Sequence, residues 1–274
     1  MQSNVKSINI AGIFMGNENY LSSFLLPMLD RIRELYSDYK FYYYFYADDI
    51  EGDKTCELLQ RYVKGKKGSK VMTNTARPGK FKRDTDLLRI KNIERARNEL
   101  LQLRPFKGDL TILLDSDTYF DVNILNRFLH ADYPHDWGVI SCNGKDHTRC
   151  QTHLGNCKHY YDTLALIDLD GNLGYNFTRT SGFQCCPFQS QNDRDNWFSG
   201  KIVQAKSAFG GMSFYKTSLI NNPELVYKVE THFKYVHDGS YLFCEHWDFI
   251  RSLCCDDKYC VYVDPKLIVC NLEL

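Results

Sequence analysis

Apolar runs and amphipathic stretches take turns over the first 115 positions of this chain. Four continuous apolar or aromatic runs predict buried strands, at residues 5–15, 41–46, 70–73 and 110–114. Three stretches predict amphipathic or buried helices, at residues 21–36, 55–63 and 86–103. Pro105 lies just past the last stretch, where a helix is expected to have ended.

Strands that alternate with helices predict an α/β fold with a mostly parallel central sheet flanked by helices. Ligands of such sheets bind beyond the carboxyl ends of the strands. Three polar clusters fall at predicted strand ends, at residues 16–19, 48–53 and 115–117. We therefore expect these clusters to converge on one site.

The pattern becomes irregular from about Cys142, where aromatic residues, cysteines and glycines mix with few clear periods. We expect shorter strands and loops there, completing the pocket. The length of 274 residues suits one domain with two halves, 1–140 and 141–274.

The charge balance argues against a nucleic-acid partner, since Lys+Arg and Asp+Glu both number 34. The basic run at residues 64–70 is predicted to be a solvated loop, with a phosphate or membrane contact as the alternative. No stretch approaches the roughly 18 apolar residues of a membrane span. We expect no integral membrane segment in this chain.

Cysteine usage leaves the cellular compartment open. The chain has 11 cysteines, and Cys150 and Cys157 flank His153, so a zinc knuckle is an alternative to buried or bridged thiols. The lack of an anchor suits a cytoplasmic, bacterial or viral protein. The cysteines and the sequon Asn176-Phe177-Thr178 would instead suit a Golgi-lumen protein whose anchor had been trimmed.

Asp115-Ser116-Asp117 follows the apolar run at 110–114 directly and is the main candidate for chemistry. Mn²⁺ and Mg²⁺ prefer oxygen ligands and often take one or two carboxylates plus substrate phosphates. A metal held there would offset the charge of a departing nucleotide diphosphate. Alternatives are a solvated turn or a haloacid-dehalogenase-type phosphatase, although the motif sits late in the chain for the latter.

Three segments resemble glycosyltransferases of the GT-A type: RIKNIERARNELL, DLTILLDSDTYFD and HYYDTLALIDLDGN. The first two are similar to fungal Golgi α-mannosyltransferases, and the third to the capsule-associated α-1,3-mannosyltransferase family. The resemblance implies a nucleotide-sugar-binding half at 1–140 and an acceptor-side half at 141–274. It also implies transfer of a hexose, with mannose from GDP-mannose the best guess and a retaining outcome.

The resemblance assigns roles to the first half of the site. Asp117 would hold the metal directly, while Asp115 would act on the metal or the ribose, and Ser116 would contact the donor. Arg97 and Asn98 would contact the nucleotide or its phosphates, although a charged helix face is the alternative. Two further carboxylates complete the set: Asp49 near the base or ribose, and Asp162 of the Tyr161-Asp162-Thr163 segment near the donor sugar. A strand-like segment, LALIDLDG, follows at 164–171, so an Asp at a strand edge is the alternative for Asp162.

Two clusters in the second half are candidates for the acceptor side. The pair Gly210-Gly211 precedes an apolar segment, which suits close approach of the backbone to a ligand or a plain hairpin turn. Glu245 and Asp248 would be a catalytic base or acceptor ligands, or acidic residues that begin a helix. Trp247 would be a sugar-stacking platform. The resemblance also implies a C-terminal histidine in the metal shell, and three histidines qualify by position: His232, His237 and His246. We select His246, with a structural or exposed histidine as the alternative.

The sequence thus predicts a metal-dependent glycosyltransferase with Mn²⁺ or Mg²⁺, a nucleotide-sugar donor and a glycan or other hydroxyl acceptor. UDP-sugars are the alternative donors. A nucleotidyltransferase shares the sheet order, but Gly12 and Gly16 do not make its glycine-rich signature. A catalytically silent sugar-binding protein is the rival outside the enzymes.

Overall fold

The protein is described from a computed structural model that covers most of the chain. The described residues are 5–75, 87–146, 160, 162, 164–174, 186–229, 244–254 and 258–271. In these ranges no helix is both long and apolar enough to cross a bilayer.

One mixed sheet organises the described residues. Its strands are β1 Ser7–Met15, β2 Lys40–Asp49, β3 Lys70–Thr75, β4 Leu110–Leu114, β5 Thr118–Phe120, β6 Trp137–Asp146, β7 Val203–Ala205, β8 Met212–Lys216 and β9 Cys260–Asn271. Their order is β3-β2-β1-β4-β8-β6-β9-β5, and β7 pairs with β9. The first four strands in this order are parallel, and β8 runs antiparallel to both of its neighbours.

Helices connect the parallel strands β1 to β4, as the alternating pattern predicts: α1 Glu18–Tyr20, α2 Leu26–Leu35, α3 Thr55–Val63 and α4 Leu87–Leu101. Later in the chain come α5 Ile124–His130, α6 Gln191–Phe198, α7 Thr217–Ile220 and α8 His246–Leu253. A π-helical turn, Leu21–Leu25, joins α1 to α2. Proline in the first turn of α2 has no N–H to donate to the preceding turn. The single helix expected at 21–36 is therefore built from two pieces, the π-helical turn and α2, and α1 precedes them.

The parallel strands are buried on both faces, which confirms the predicted covering of the sheet. All five residues of β4 are buried. On β2, Tyr43 and Phe45 pack into the core on one face of the sheet, whereas Tyr44 and Tyr46 pack into the core on the other. Successive side chains of a strand point to opposite faces, so one aromatic run supplies both cores.

The second half differs from its sequence-based expectation in two places. β9 is 12 residues long and pairs with β5, β6 and β7, where only short strands were expected. Residues 164–174 form a tight loop instead of the expected strand-like segment. Asp168 accepts hydrogen bonds from the backbone and side chain of Asn172, and Gly171 takes a positive φ of 92°. These local bonds turn the chain back on itself.

Candidate active site

The carboxyl ends of β1, β2 and β4 lie side by side, because these strands are parallel neighbours. The chain leaves β4 into a turn in which the Thr118 N–H donates to the Asp115 carbonyl over 3.3 Å. This turn is fastened across the sheet to Gly211, whose carbonyl accepts from the Asp115 N–H at 2.9 Å and from the Thr118 hydroxyl at 3.0 Å. The Asp115-Ser116-Asp117 motif therefore sits where β4 meets the start of β8.

Arg97 of α4 connects the motif to the second half of the chain. Its Nη2 lies 2.7 Å from Asp115 Oδ1, and its Nε lies 3.0 Å from Glu245 Oε1. Its side chain is only 4% exposed, and its guanidinium lies 4.9 Å from the ring centre of Phe209 and 5.6 Å from that of Tyr227. The structure therefore commits Arg97 to two carboxylates, and we no longer expect it to grip phosphate.

Burial and mutual repulsion raise the pKa values of the carboxyl groups around Arg97. Burial, then the neighbouring Asp115 charge, raises the pKa of Asp117 to about 7. Burial also raises the pKa of Asp115, although Arg97 opposes the shift. The pKa of Asp162 rises to about 7 through burial, then through the charges of Asp115 and Glu245. These carboxyl groups share one electrostatic environment.

Among the described residues, this cluster has more carboxylates than arginines. Its four carboxylates belong to Asp115, Asp117, Asp162 and Glu245, and the arginines acting on the two motif aspartates are Arg89 and Arg97. Fully ionised, the six groups leave two negative charges. A divalent cation has the charge and the preference for oxygen that such a site requires.

Asp115 and Asp117 fit a metal that takes its other ligands from substrate and water. Within the described ranges, no group of three or more His, Cys, Asp and Glu side chains is arranged to hold an ion alone. Mn²⁺ and Mg²⁺ are commonly bound by one or two carboxylates together with phosphate oxygens. The donor set therefore suits a metal that binds with a nucleotide diphosphate.

The Gly210-Gly211 pair positions Asp162 beside this cluster. The Gly210 N–H donates to Asp162 Oδ2 over 3.2 Å. Gly210 has a φ of 68°, and a Cβ atom there would lie 2.1 Å from the carbonyl oxygen of Cys142 on β6. Gly144 of β6 packs against Gly210 in turn. The expected close backbone approach is real, but its partner is the protein's own strand β6.

Asp48, and not its neighbour Asp49, is the engaged carboxylate at the end of β2. Asp48 is 3% exposed and accepts two hydrogen bonds from Arg95, at 2.9 and 3.0 Å, and one from the Tyr46 hydroxyl at 2.6 Å. Asp49 is exposed. The alternation of side chains along β2 indicates this difference. Asp48 lies on the same face as Tyr44 and Tyr46, which pack with residues of α4.

Asn98 fastens backbone instead of contacting phosphate. Its side-chain amide donates to the Tyr227 carbonyl at 2.9 Å, and its oxygen accepts from the Tyr227 N–H at 2.8 Å. The prediction of a nucleotide contact is corrected, because both polar atoms of the side chain are hydrogen-bonded to the backbone of Tyr227.

No protein-family model and no curated protein matches this sequence. The chain is similar to solved structures at 14% identity. One is S. aureus TarS 1-349 in complex with UDP-GlcNAc, with a TM-score of 0.52 over 98% of this chain and 59% of that one. Another is GalNAc-T7 with UDP, GalNAc and Mn²⁺, with a TM-score of 0.54 over 98% of this chain and 44% of that one.

TarS 1-349 in complex with UDP gives a TM-score of 0.51 over 97% of this chain and 60% of that one. The chain has the GT-A fold. This confirms the fold expected from the sequence resemblance. The chain spans less than two thirds of the length of each of these structures.

Within this GT-A fold, the segment from Glu245 to Asp248 is placed differently from the prediction. His246 is buried with its ring stacked 4.0 Å from Phe209, and burial lowers its pKa well below the ordinary value. It does not join Asp115 and Asp117 in one ligand set among the described residues, so its metal role is corrected.

Trp247 and Asp248 are also engaged inside the protein. Trp247 is 3% exposed and donates to the Leu164 carbonyl at 2.7 Å, so it offers no platform for a sugar. Asp248 pairs with Arg251, one turn along α8, at 2.7 Å. Glu245, which contacts Arg97, is therefore the member of this segment that the structure brings to the site.

Several predicted features lie outside the described residues. They are Tyr161, Thr163, His232, His237, Cys150, His153, Cys157 and the sequon at 176–178. Ser116 is half-buried in the turn between the two aspartates, and its donor contact stays a prediction.

Proposed function

We propose that this chain is a metal-dependent glycosyltransferase that moves a hexose from a nucleotide-diphosphate sugar to a hydroxyl of a glycan or another acceptor. The carrying observation is the position of Asp115 and Asp117 at the end of a parallel strand in a GT-A fold, where the carboxylates outnumber the arginines among the described residues. The similar structures support it, since TarS was solved with UDP-GlcNAc, and GalNAc-T7 with UDP, GalNAc and Mn²⁺.

The reaction exchanges one carbon–oxygen bond for another. The bond from the sugar's anomeric carbon to the diphosphate breaks, a bond to the acceptor oxygen forms, and the hydroxyl proton passes to a base. A cation bound by Asp115 and Asp117 would offset the charge that builds up on the departing diphosphate. The base is a protein carboxylate or the leaving phosphate itself.

Asp162 and Glu245 are proposed to act on the sugar and acceptor. Asp162 is held by the Gly210 N–H beside the motif, and its pKa of about 7 leaves both protonation states accessible near neutral pH. It is therefore suited to hydrogen-bond a sugar hydroxyl. Glu245 lies against Arg97 and is the second candidate for contact with the acceptor.

The base end of the donor site is proposed to lie near Asp48. Uracil and guanine both present ring N–H groups, from which the exposed Asp49 carboxylate can accept, and Arg95 holds the buried Asp48 and so supports the strand end that carries Asp49. The sequence resemblance favours GDP-mannose with retention, whereas the similar structures contain UDP or UDP-GlcNAc. The donor assay therefore needs both nucleotide classes.

The test is nucleotide release from a panel of GDP-mannose, UDP-GlcNAc, UDP-GalNAc and UDP-glucose with Mn²⁺. We expect one nucleotide class to be released by the wild type, and Asp117→Ala to lose at least about 1,000-fold of that rate, since an essential ligand is missing. Asp38→Ala is the matched control and should keep the full rate, because Asp38 is exposed and lies just before β2, away from the carboxyl ends of the strands. An Asp117→Ala protein that retains most of the rate would refute the assignment.

A further inference from the structure

Arg97 joins parts of the site that are far apart in sequence. It lies on α4 between Asp115, at the end of β4, and Glu245, which immediately precedes α8. Resting on the proposed function, we propose that Arg97 is a positioning residue. It holds Asp115 and Glu245 at fixed places, so that the metal side and the acceptor side of the site keep a constant relative position.

The geometry uses two different edges of the guanidinium. Nη2 serves Asp115 at 2.7 Å and Nε serves Glu245 at 3.0 Å. A planar fork with five donors can satisfy two carboxylates in fixed directions, whereas a lysine ammonium is a single point charge on a flexible stem. The arrangement therefore depends on arginine itself and on more than its charge.

Two aromatic rings hold the fork in place. Phe209 and Tyr227 lie within cation–π distance of the guanidinium, and His246 stacks on Phe209. Tyr227 is itself fastened through its backbone to Asn98, the next residue of α4. Two neighbouring residues of α4 therefore act together: Arg97 carries the charge, and Asn98 holds the backbone of Tyr227, whose ring packs on Arg97.

Stability alone does not explain such a network. Replacing a buried ion pair by apolar residues of similar volume is often neutral or stabilising, because burying charges costs solvation. Burial of Arg97 is compensated by Asp115 and Glu245, and these are also carboxylates of the proposed site. The Arg97–Asp115 contact instead fits the role of a contact that supports a metal ligand. Loss of such a contact typically lowers metal affinity about 10–100-fold.

The test measures binding of Mn²⁺ in the presence of UDP or GDP, by electron paramagnetic resonance of free Mn²⁺, with thermal unfolding of each variant. Arg97→Lys should weaken Mn²⁺ binding by about 10-fold or more, since Asp115 loses its fixed orientation. Arg61→Met removes an exposed arginine that pairs with Glu57 on α3. It is the matched control and should bind Mn²⁺ as the wild type does.

Glu245→Gln provides a second variant that keeps the side-chain shape. It should also weaken Mn²⁺ binding, by about 10-fold, although Glu245 is not a metal ligand in this account, because a neutral amide holds the Arg97 Nε less firmly than a carboxylate does and Asp115 then loses its fixed orientation. A merely structural arginine would change the unfolding temperature and leave the Mn²⁺ affinity of folded protein untouched.

Three outcomes separate the ideas. Weaker Mn²⁺ binding by folded Arg97→Lys, or by Glu245→Gln if the lysine variant does not fold, supports the positioning role. Wild-type affinity in a folded Arg97→Lys protein, or in Glu245→Gln where only that variant folds, overturns this role and leaves the glycosyltransferase proposal standing. No Mn²⁺ binding by the wild type with either nucleotide overturns both.

Discussion

The two sides of the candidate site are built by different means. On the strand-end side, Asp48 and Asp115 arrive at one edge because β2, β1 and β4 are parallel neighbours. On the other side, Asp162 is held by the N–H of Gly210, a residue that fits only because it lacks a side chain. Sheet topology places the first set, and close packing between backbone segments places the second.

The two sides are therefore expected to differ in how well they tolerate substitutions. Strand ends are supported by whole ladders of hydrogen bonds, so a substitution there is expected to change chemistry more than folding. The contact between Gly210 and β6 leaves no room for a side chain at Gly210, because protein interiors are packed without spare volume. The predictions below separate these two kinds of support.

The largest effect is expected at Gly210. Gly210→Ala places a Cβ atom 2.1 Å from the Cys142 carbonyl at a φ of 68°, so β6 and β8 must move apart. We expect a loss of about 4 kcal/mol or more in the free energy of unfolding, measured by urea denaturation. Gly52→Ala is the control, since Gly52 has a φ of 82° with nothing near its Cβ position, and should cost about 1 kcal/mol.

An equal loss in both glycine variants would show that only the backbone angle matters. The packing account of the second side of the site would then be wrong.

Asn98 tests whether α4 supports the site or only the fold. Asn98→Ala leaves the Tyr227 N–H and carbonyl unpaired, and should cost about 2 kcal/mol in the free energy of unfolding. Asn221 pairs with the Phe106 backbone in the same way, at 2.8 and 2.9 Å. Asn221→Ala should cost about as much stability. Only Asn98→Ala should also lower the rate of nucleotide release, because Tyr227 covers Arg97.

Equal rates in the folded asparagine variants would contradict that link between α4 and the site. Circular dichroism at the assay temperature identifies any variant that has unfolded.

Arg95 tests the base end of the strand-end side. Arg95→Met removes the two hydrogen bonds that hold Asp48, so the end of β2 that carries Asp49 loses its support beside the proposed donor site. We expect the donor KM to rise about tenfold, equivalent to about 1.4 kcal/mol, with little change in kcat. Steady-state kinetics with the donor identified from the panel measure this split. A fall in kcat at unchanged KM would move Arg95 from donor binding to the chemical step.

Asp162 provides a pH test of the second side. Its pKa of about 7 in the folded protein exceeds the ordinary value near 4, so the folded state holds this proton more tightly than the unfolded state. The resulting stability is present below pH 4 and is lost as the pH rises through 7. A pKa difference of about three would be equivalent to about 4 kcal/mol, and solvent screening of the partly exposed Asp162 reduces it. Metal-free Asp162→Asn should lack this loss, so its stability relative to wild type should improve by at least about 1 kcal/mol between pH 4 and 7.

Denaturation curves at several pH values measure the difference. A constant offset between the two proteins over that range would mean that Asp162 titrates normally.

The sequence predicted the strand-end side well because its signals are local. The span of α3 at Thr55–Val63 and that of β4 at Leu110–Leu114 agree with the periodicity and the apolar run. The place of Asp115 and Asp117, just after the end of β4, agrees with the apolar run that precedes them. The sequence did not show that Asp48 is buried and paired with Arg95, whereas Asp49 is exposed, because this depends on which face of the sheet each residue lies on.

The second side was harder to predict because its contacts join residues far apart in the chain. The approach of Gly210 to Cys142, the link from Arg97 to Glu245 and the clamp of Asn98 on Tyr227 have no local signature in the sequence. The Trp247 and His246 roles failed for the same reason. A polar or aromatic residue near a motif can pack inward, and only the tertiary contacts decide.

The most direct test of the metal site is a crystal grown with Mn²⁺ and the nucleotide that the panel identifies, analysed by anomalous scattering. The account predicts an anomalous peak at coordination distance, about 2.0–2.3 Å, from a carboxylate oxygen of Asp117, with nucleotide phosphates completing the shell. A peak elsewhere on the protein, or none near Asp117 at saturating Mn²⁺ and nucleotide, would contradict it.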